Sequence, residues 1–358
     1  MIADRAIATA IETIAMEAAI ATAALLESMF AAQPDHPGAA HYLIHAYDNP
    51  VLAPQGVAAA RAYSKIAPDM PHALHMPSHI FTRLGLWEDS IAANIAATAA
   101  ARKHGDQGEE FHALDYLVYA YLQLGRNSEA EKIRDNLPTL GNVKPSFLFK
   151  INYAKAAIRA RCALEQGHWE EAEKLTPDPG VQPQVAAISL WAAALGGAHG
   201  ESLQAARRQV EELRRLSVGL DERGEAYWAE QVTIQSKEAA AWLAHAEHRT
   251  SDALRLLQMA ADQEDAAEKH PVTPGAVLPA RELLGDLLME MQQPKAALAA
   301  YEMVLKVAPR RRNALKGAVE AAKLSKLAIN LQGIPATGES AAPSRPLNAS
   351  SSTWSAGR

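Results

Sequence analysis

Cysteine is nearly absent: Cys162 is the only one in 358 residues, so no intramolecular disulfide and no multi-cysteine zinc or iron-sulfur site can form. Aromatic residues are scarce too, at 6% within a hydrophobic share of 49%, much of it alanine. Alanine packs helices closely while burying little area per residue, which points to an all-helical chain. Charge of neither sign is in large surplus. The balance of 35 basic and 41 acidic residues, net −6, supplies no field for gathering phosphate backbones, so nucleic acid is not expected as a partner.

Long apolar runs are missing as well. None reaches 18 residues, and the Ala/Ile-rich opening is broken by Asp4, Arg5, Glu12, Glu17 and Glu27. Neither a membrane span nor a signal peptide is expected, and the chain is read as cytoplasmic. The opening reads as an amphipathic helix already under way, which implies that residues precede it. No Gly-x-Ser-x-Gly elbow, phosphate-binding loop or dinucleotide fingerprint occurs. Cys162, in the helical run AIRARCALEQG, reads as a packing residue. Arg310, Arg311 and Arg312 read as a solvated helix end, and Trp87, Trp169, Trp191, Trp228 and Trp242 as core.

What is present is a repeating pattern: a helical stretch ending in a small pair, a turn, an alanine-bearing second helix, then a proline. Leu84-Gly85 opens SHIFTRLGLWEDSIAANIAATAAARK in this way, and Leu124-Gly125, Ala130 and Pro138 recur in YLVYAYLQLGRNSEAEKIRDNLP. Gly167 with Ala172, and Pro294, Ala297, Tyr301, Ala308 with Pro309, mark later copies. Small residues let antiparallel helices approach, and proline stops the second one. This pattern resembles the tetratricopeptide repeat, a helix-turn-helix unit of about 34 residues. The segments HPGAAHYLIHAYD and HALHMPSHIFTRLG further resemble a bacterial tetratricopeptide family of uncertain biochemical role, whose members carry additional N-terminal repeats. The resemblance implies an all-α, right-handed α-solenoid of six or seven helix pairs. Residues 1–36 are read as an N-terminal cap, 37–328 as the solenoid with a histidine-rich first half at 37–138, and 329–358 as a disordered tail or cloning remnant.

Histidine sets this chain apart from a bland repeat protein. Eight of 13 histidines fall in residues 36–112. His41 and His45 are spaced i,i+4 on one helix face, with Asp48 at i+7. His75 and His79 repeat the pair 34 residues on, one repeat period. His72-Ala-Leu-His75 is echoed by His112-Ala-Leu-Asp115, which places Asp115 in the His75 column and Tyr119 in the His79 column. Pro77 interrupts the second pair, either kinking its helix or starting a new one. If the first helices line a concave groove, as the family resemblance implies, these side chains share one patch.

Three readings of the patch stand side by side. The histidines are buried hydrogen-bonding residues between repeats, or a contact surface for a peptide, or ligands of a divalent ion. On the contact reading, the protein is a binding scaffold whose groove takes a peptide or protein segment, with His72, His112 and Tyr119 among the contacts. On the metal reading, His41, His45, His75 and His79 hold zinc, copper, nickel or iron, and Asp48 or Asp115 acts as ligand, support or base. That would make a hydrolase or oxidoreductase acting on a small molecule.

Overall fold

The computed structural model describes residues 20–325 apart from Glu201. The first 19 residues of the expected cap and the expected tail from residue 329 lie outside the described residues. Among the described residues no strand occurs. Residues 20–32 form α1, followed by α2 (Pro37–Tyr47), a 3₁₀ turn at Ala53–Gly56, α3 (Val57–Ile66), α4 (Pro71–His75), α5 (Pro77–Arg83) and α6 (Trp87–His104). Then come α7 (Gln107–Gln123), α8 (Asn127–Asp135), α9 (Pro145–Leu164), α10 (Trp169–Glu173), α11 (Pro183–His199) and α12 (Leu203–Asp221). The array continues with α13 (Ala226–Ala246), α14 (Thr250–Asp265), α15 (Ala280–Glu290), α16 (Pro294–Val307) and α17 (Arg312–Ser325).

The boundaries follow the residues that set them. Proline occupies the first turn of α2, α4, α5, α9, α11 and α16, where its missing N–H removes no helical hydrogen bond. Gly85 and Gly125, the small members of the Leu-Gly pairs, take φ of 65° and 71°, a left-handed conformation that reverses the chain between paired helices. The result is an all-α solenoid of helix pairs, α2/α3, α5/α6, α7/α8, α9/α10, α11/α12, α13/α14 and α15/α16, with α17 at its end. The first helices α7, α9, α11 and α13 pack against one another in succession. Ala23 on α1 is buried, and Leu26 and Phe30 pack on the α2–α5 core, so α1 covers an apolar face that would otherwise be open.

Two long-range closures depart from a simple open array. At the C-terminal end, α17 packs against α7, and the Trp87 indole N–H donates to the Arg310 carbonyl at 3.2 Å. Arg311, expected in solvent, is fully buried between Glu165 (2.8 Å) and Glu282 (2.7 Å). Its guanidinium is planar and always charged, and two carboxylates match its fork where one would leave donors unpaired. The second closure is the irregular segment 266–279. Tyr116 donates to the Thr273 carbonyl at 3.0 Å, and Arg161 donates to the carbonyls of Gly275 and Ala276 at 2.7 and 2.9 Å. The faces of α7 and α9 expected to meet a peptide therefore meet residues of the same chain.

Trp87, Trp191 and Trp242 are buried as expected, but Trp228 is half-buried and lines a cavity, and Trp169 stacks on His199 with ring centroids 3.6 Å apart. Cys162 is buried in an apolar cluster with Ile158 and Leu114.

Candidate metal centre

Six histidines from three places in the sequence come together in two groups of three. On α2, His41 and His45 point the same way, and α4 brings His72 to them: His41 Nε2 lies 3.1 Å from His45 Nε2 and 3.2 Å from His72 Nε2. Across the junction of α4 and α5, Met76 keeps right-handed helical angles, so Pro77 starts a new helix without rotating the chain out of register. His75 and His79 consequently remain i,i+4 neighbours, with Nε2 atoms 3.2 Å apart. His112 on α7 adds a third ring nitrogen within 4.8 Å of theirs. The groups adjoin, since the rings of His45 and His79 are 5.9 Å apart and those of His72 and His75 6.4 Å apart, centroid to centroid. The first group is partly exposed; the second is buried.

The outward nitrogens are held by acceptors. His79 Nδ1 faces Asp48 Oδ2 at 2.9 Å, and His72 Nδ1 faces Glu109 Oε2 at 3.2 Å. His75 Nδ1 faces Asn94 Oδ1 at 2.7 Å, and the Asn94 amide is oriented by its own N–H donating to the Ser90 carbonyl at 2.8 Å. A carboxylate or amide oxygen can only accept, so each of these Nδ1 atoms carries the proton. In His75 and His79, whose rings burial keeps neutral, each Nε2 is then a bare lone pair. For His75 and His79 this leaves two lone pairs facing one another at 3.2 Å, with no proton between them. His112 adds a buried Nδ1 with no hydrogen-bond partner.

The charges agree with that assignment. Burial holds His75 and His112 well below the ordinary histidine range, and pushes His41 and His79 down to about 4. These rings are neutral near pH 7, the form that donates to a metal. Burial works against the Asp48 carboxylate but is outweighed by Lys269, His79 and Arg83, which hold it well below the usual carboxylate range. Lys269 reaches it at 2.7 Å and Arg83 at 2.8 Å. Glu109 is likewise lowered despite its burial, through His72 and Lys150.

The remaining candidates lie elsewhere. Asp115 is fully buried on Arg161 at 3.1 Å, and Tyr119 meets the guanidinium groups of Arg311 and Arg161. Tyr116, three residues earlier, takes the place beside His79, its hydroxyl 3.3 Å from Nδ1. His36 caps α2 by accepting the Ala39 N–H, and His104 pairs with Asp69 at the surface. Sequence reasoning missed Glu109, Asn94, Tyr116 and Lys269. Glu109 and Tyr116 had a signal, lying three residues before and four after His112 on one helix face. Lys269 had none, being 221 residues from its partner.

The donor set can be tested against an ion. Two nitrogens 3.2 Å apart, each about 2.0–2.1 Å from one metal, subtend an angle of about 100°, close to tetrahedral. Acceptors that fix the far nitrogen of each ring are what metal-ligating histidines ordinarily have. The spacing of the His75–His79 pair is one that a transition metal can bridge.

No protein-family model matches the chain, and no curated protein is significantly similar to it. Among solved structures, the crystal structure of the P58(IPK) TPR domain is similar at 14% identity over 91% of this chain and 99% of that one, with a TM-score of 0.26. So loose a superposition adds nothing to the helix-pair architecture described above.

Proposed function

We propose that the protein is a transition-metal protein in which His41, His45 and His72 hold one ion and His75, His79 and His112 a second, and that a small molecule meets the metal at the half-exposed first group. The observation that supports this most is the His75–His79 pair, whose hydrogen-bonded Nδ1 atoms leave two buried lone pairs opposed at 3.2 Å. A histidine kept for packing has no reason to aim an acceptor at another acceptor.

The ligand chemistry narrows the ion. Among the described residues no carboxylate joins either group. That disfavours magnesium and calcium, and also the two-histidine, one-carboxylate iron site, leaving zinc, copper or nickel. Three imidazoles with a position open to solvent are the arrangement in which zinc activates a bound water, so hydrolysis is the activity favoured. Asp48 and Glu109 act on the rings they orient. Asp115, committed to Arg161, has no part in the chemistry.

Helical repeat arrays commonly bind peptides, and this fold is of that kind. The face on which a peptide would lie, however, carries the chain's own residues Lys269 to Ala276. The deciding experiment is metal analysis of protein purified without chelator, with His41→Ala and His79→Ala alongside. Stoichiometric zinc that falls in both variants supports the reading. Copper in its place moves the reading from hydrolysis to oxidation. A metal-free protein that zinc, copper and nickel all fail to stabilise sinks it.

A further inference from the structure

A cavity of about 110 Å3 lies among α9, α11, α13 and the 266–279 segment, and none of the six clustered histidines lines it. Four aromatic rings line it: Tyr153 from α9, Trp191 from α11, and Tyr227 and Trp228 from α13. Its wall carries three unpartnered acceptors and one unpartnered donor, the Trp191 indole N–H. Gln184, Gln235 and Glu238 line the cavity, and each has a buried side-chain oxygen with no hydrogen-bond partner. Glu238 is 1% exposed. The Trp191 indole N–H favours its charged form without reaching hydrogen-bond geometry. Glu264 adds a second carboxylate, which accepts the Ala280 N–H at 2.6 Å, and the exposed Glu268, which accepts from the Asn49 amide at 3.1 Å, a third. Lys269 is the one basic residue among the described residues that line the cavity, and its ammonium is committed to Asp48 at 2.7 Å.

We infer that this cavity binds a small primary ammonium, an alkylamine of about four or five heavy atoms. The size follows from comparison with a cavity of about 150 Å3, which accommodates the six carbons of benzene. The charge follows from three carboxylates without a free cation beside aromatic faces, the surroundings in which organic cations are held. The headgroup follows from counting: three unpartnered acceptors match the three N–H donors of a primary ammonium. A quaternary ammonium would leave all three unpaired, and an alcohol would satisfy one. Consistent with a missing counter-charge, burial raises Glu238 well above the ordinary carboxylate range and pushes Glu264 up to about 7.

The test is isothermal titration of the full chain with n-butylamine, with 1-butanol and tetramethylammonium as neutral and quaternary comparators. Butylamine is expected to bind at least about tenfold tighter than either. Glu238→Gln is expected to weaken it by a similar factor, and Trp228→Ala, at a half-buried position, by several-fold. His41→Ala, which disables the first proposed metal group and touches neither Asp48 nor Lys269, leaves butylamine binding unchanged, so this inference and the metal reading fail separately. Equal affinity for butylamine and 1-butanol overturns the inference, as does unchanged binding in Glu238→Gln, or absence of heat and of tryptophan fluorescence change up to about 10 mM amine.

Discussion

His75 and His79 face each other through Nε2 atoms 3.2 Å apart, while their Nδ1 atoms turn outward to Asn94 and Asp48. Each Nδ1–H is spent on an acceptor, so the inward nitrogens have only lone pairs to offer. A buried acceptor without a donor costs about 1–3 kcal/mol, and opposing two of them adds their mutual repulsion. A cation between them removes both terms at once.

Metal should therefore stabilise the folded chain. At a free ion concentration of one hundred times Kd the gain is about 2.7 kcal/mol per site, or roughly 3–5 °C in Tm for a chain of this size. Calorimetry of chelator-stripped protein with and without zinc measures it. An unchanged Tm with zinc and with copper would count against an ion at either group.

Two groups imply two ions with separate dependence. Wild-type protein should hold close to two, His41→Ala and His79→Ala about one each, and the double variant none. Elemental analysis after gel filtration reads this directly. A full loss in either single variant would show that the six rings make one indivisible site.

Asp48→Asn keeps an oxygen opposite His79 Nδ1 but removes the charge shared by Lys269 and Arg83. Two buried cations then lack their anion, at a cost of about 3–5 kcal/mol, and metal affinity should fall by about 10–100-fold. Urea unfolding and a competitive metal titration measure the two effects. Wild-type behaviour in both would mean that Asp48 neither pairs with these cations in solution nor orients His79.

Arg311→Ala should cost about 3–5 kcal/mol, because it strands Glu165 and Glu282 in the core. Its signature is early release of α17. Limited proteolysis should cleave the variant near residues 308–312 before other sites, whereas uniform digestion would argue that α17 is held by something else.

Asp286 sets a pH trend. Burial, reinforced by Glu282, pushes its carboxyl up to about 7, against an ordinary value of 3.8, and the Tyr301 hydroxyl donates to it at 2.6 Å. The folded state thus binds the proton more tightly than the unfolded one. The associated stability is present in full below pH 3.8 and is lost as pH rises through 7. Asp286→Asn, neutral at all pH, should match wild type near pH 4 and exceed it by about 1–3 kcal/mol at pH 8. Urea midpoints at the two pH values test this, and equal values at pH 8 would refute it.

The helix pairs were legible because their signals are local. A Leu-Gly turn, a small residue at the crossing and a closing proline act over a few residues, and Gly85 and Gly125 took the left-handed angles such turns need. The histidine columns were legible for a similar reason, since i,i+4 spacing and a 34-residue period survive folding. Their division into two groups was not. His72 sits one turn before His75, and only the packing of α4 on α3 and α6 brings it to His41. Asp115 aligned with His75 by spacing, but α7 runs unbroken where α4 and α5 meet at Pro77, so His112 joins the cluster and Asp115 meets Arg161. Arg311 looked solvated because a run of arginines is ordinarily exposed; its partner Glu165 lies 146 residues away and leaves no periodic trace.

The link from Lys269 to Asp48 also fixes an order of events during synthesis. The six histidines have all left the ribosome by residue 112, yet the lysine that helps keep Asp48 charged emerges 221 residues after it, and the Arg311 tie to Glu165 later still. Open repeat arrays can fold outward from whichever end appears first. Contacts of such separation close last and slow the final step. A nascent chain thus displays loosely held imidazoles for most of its translation, and on the proposed metal reading the ion is chosen after release, when the second half of the protein has wrapped back onto the first.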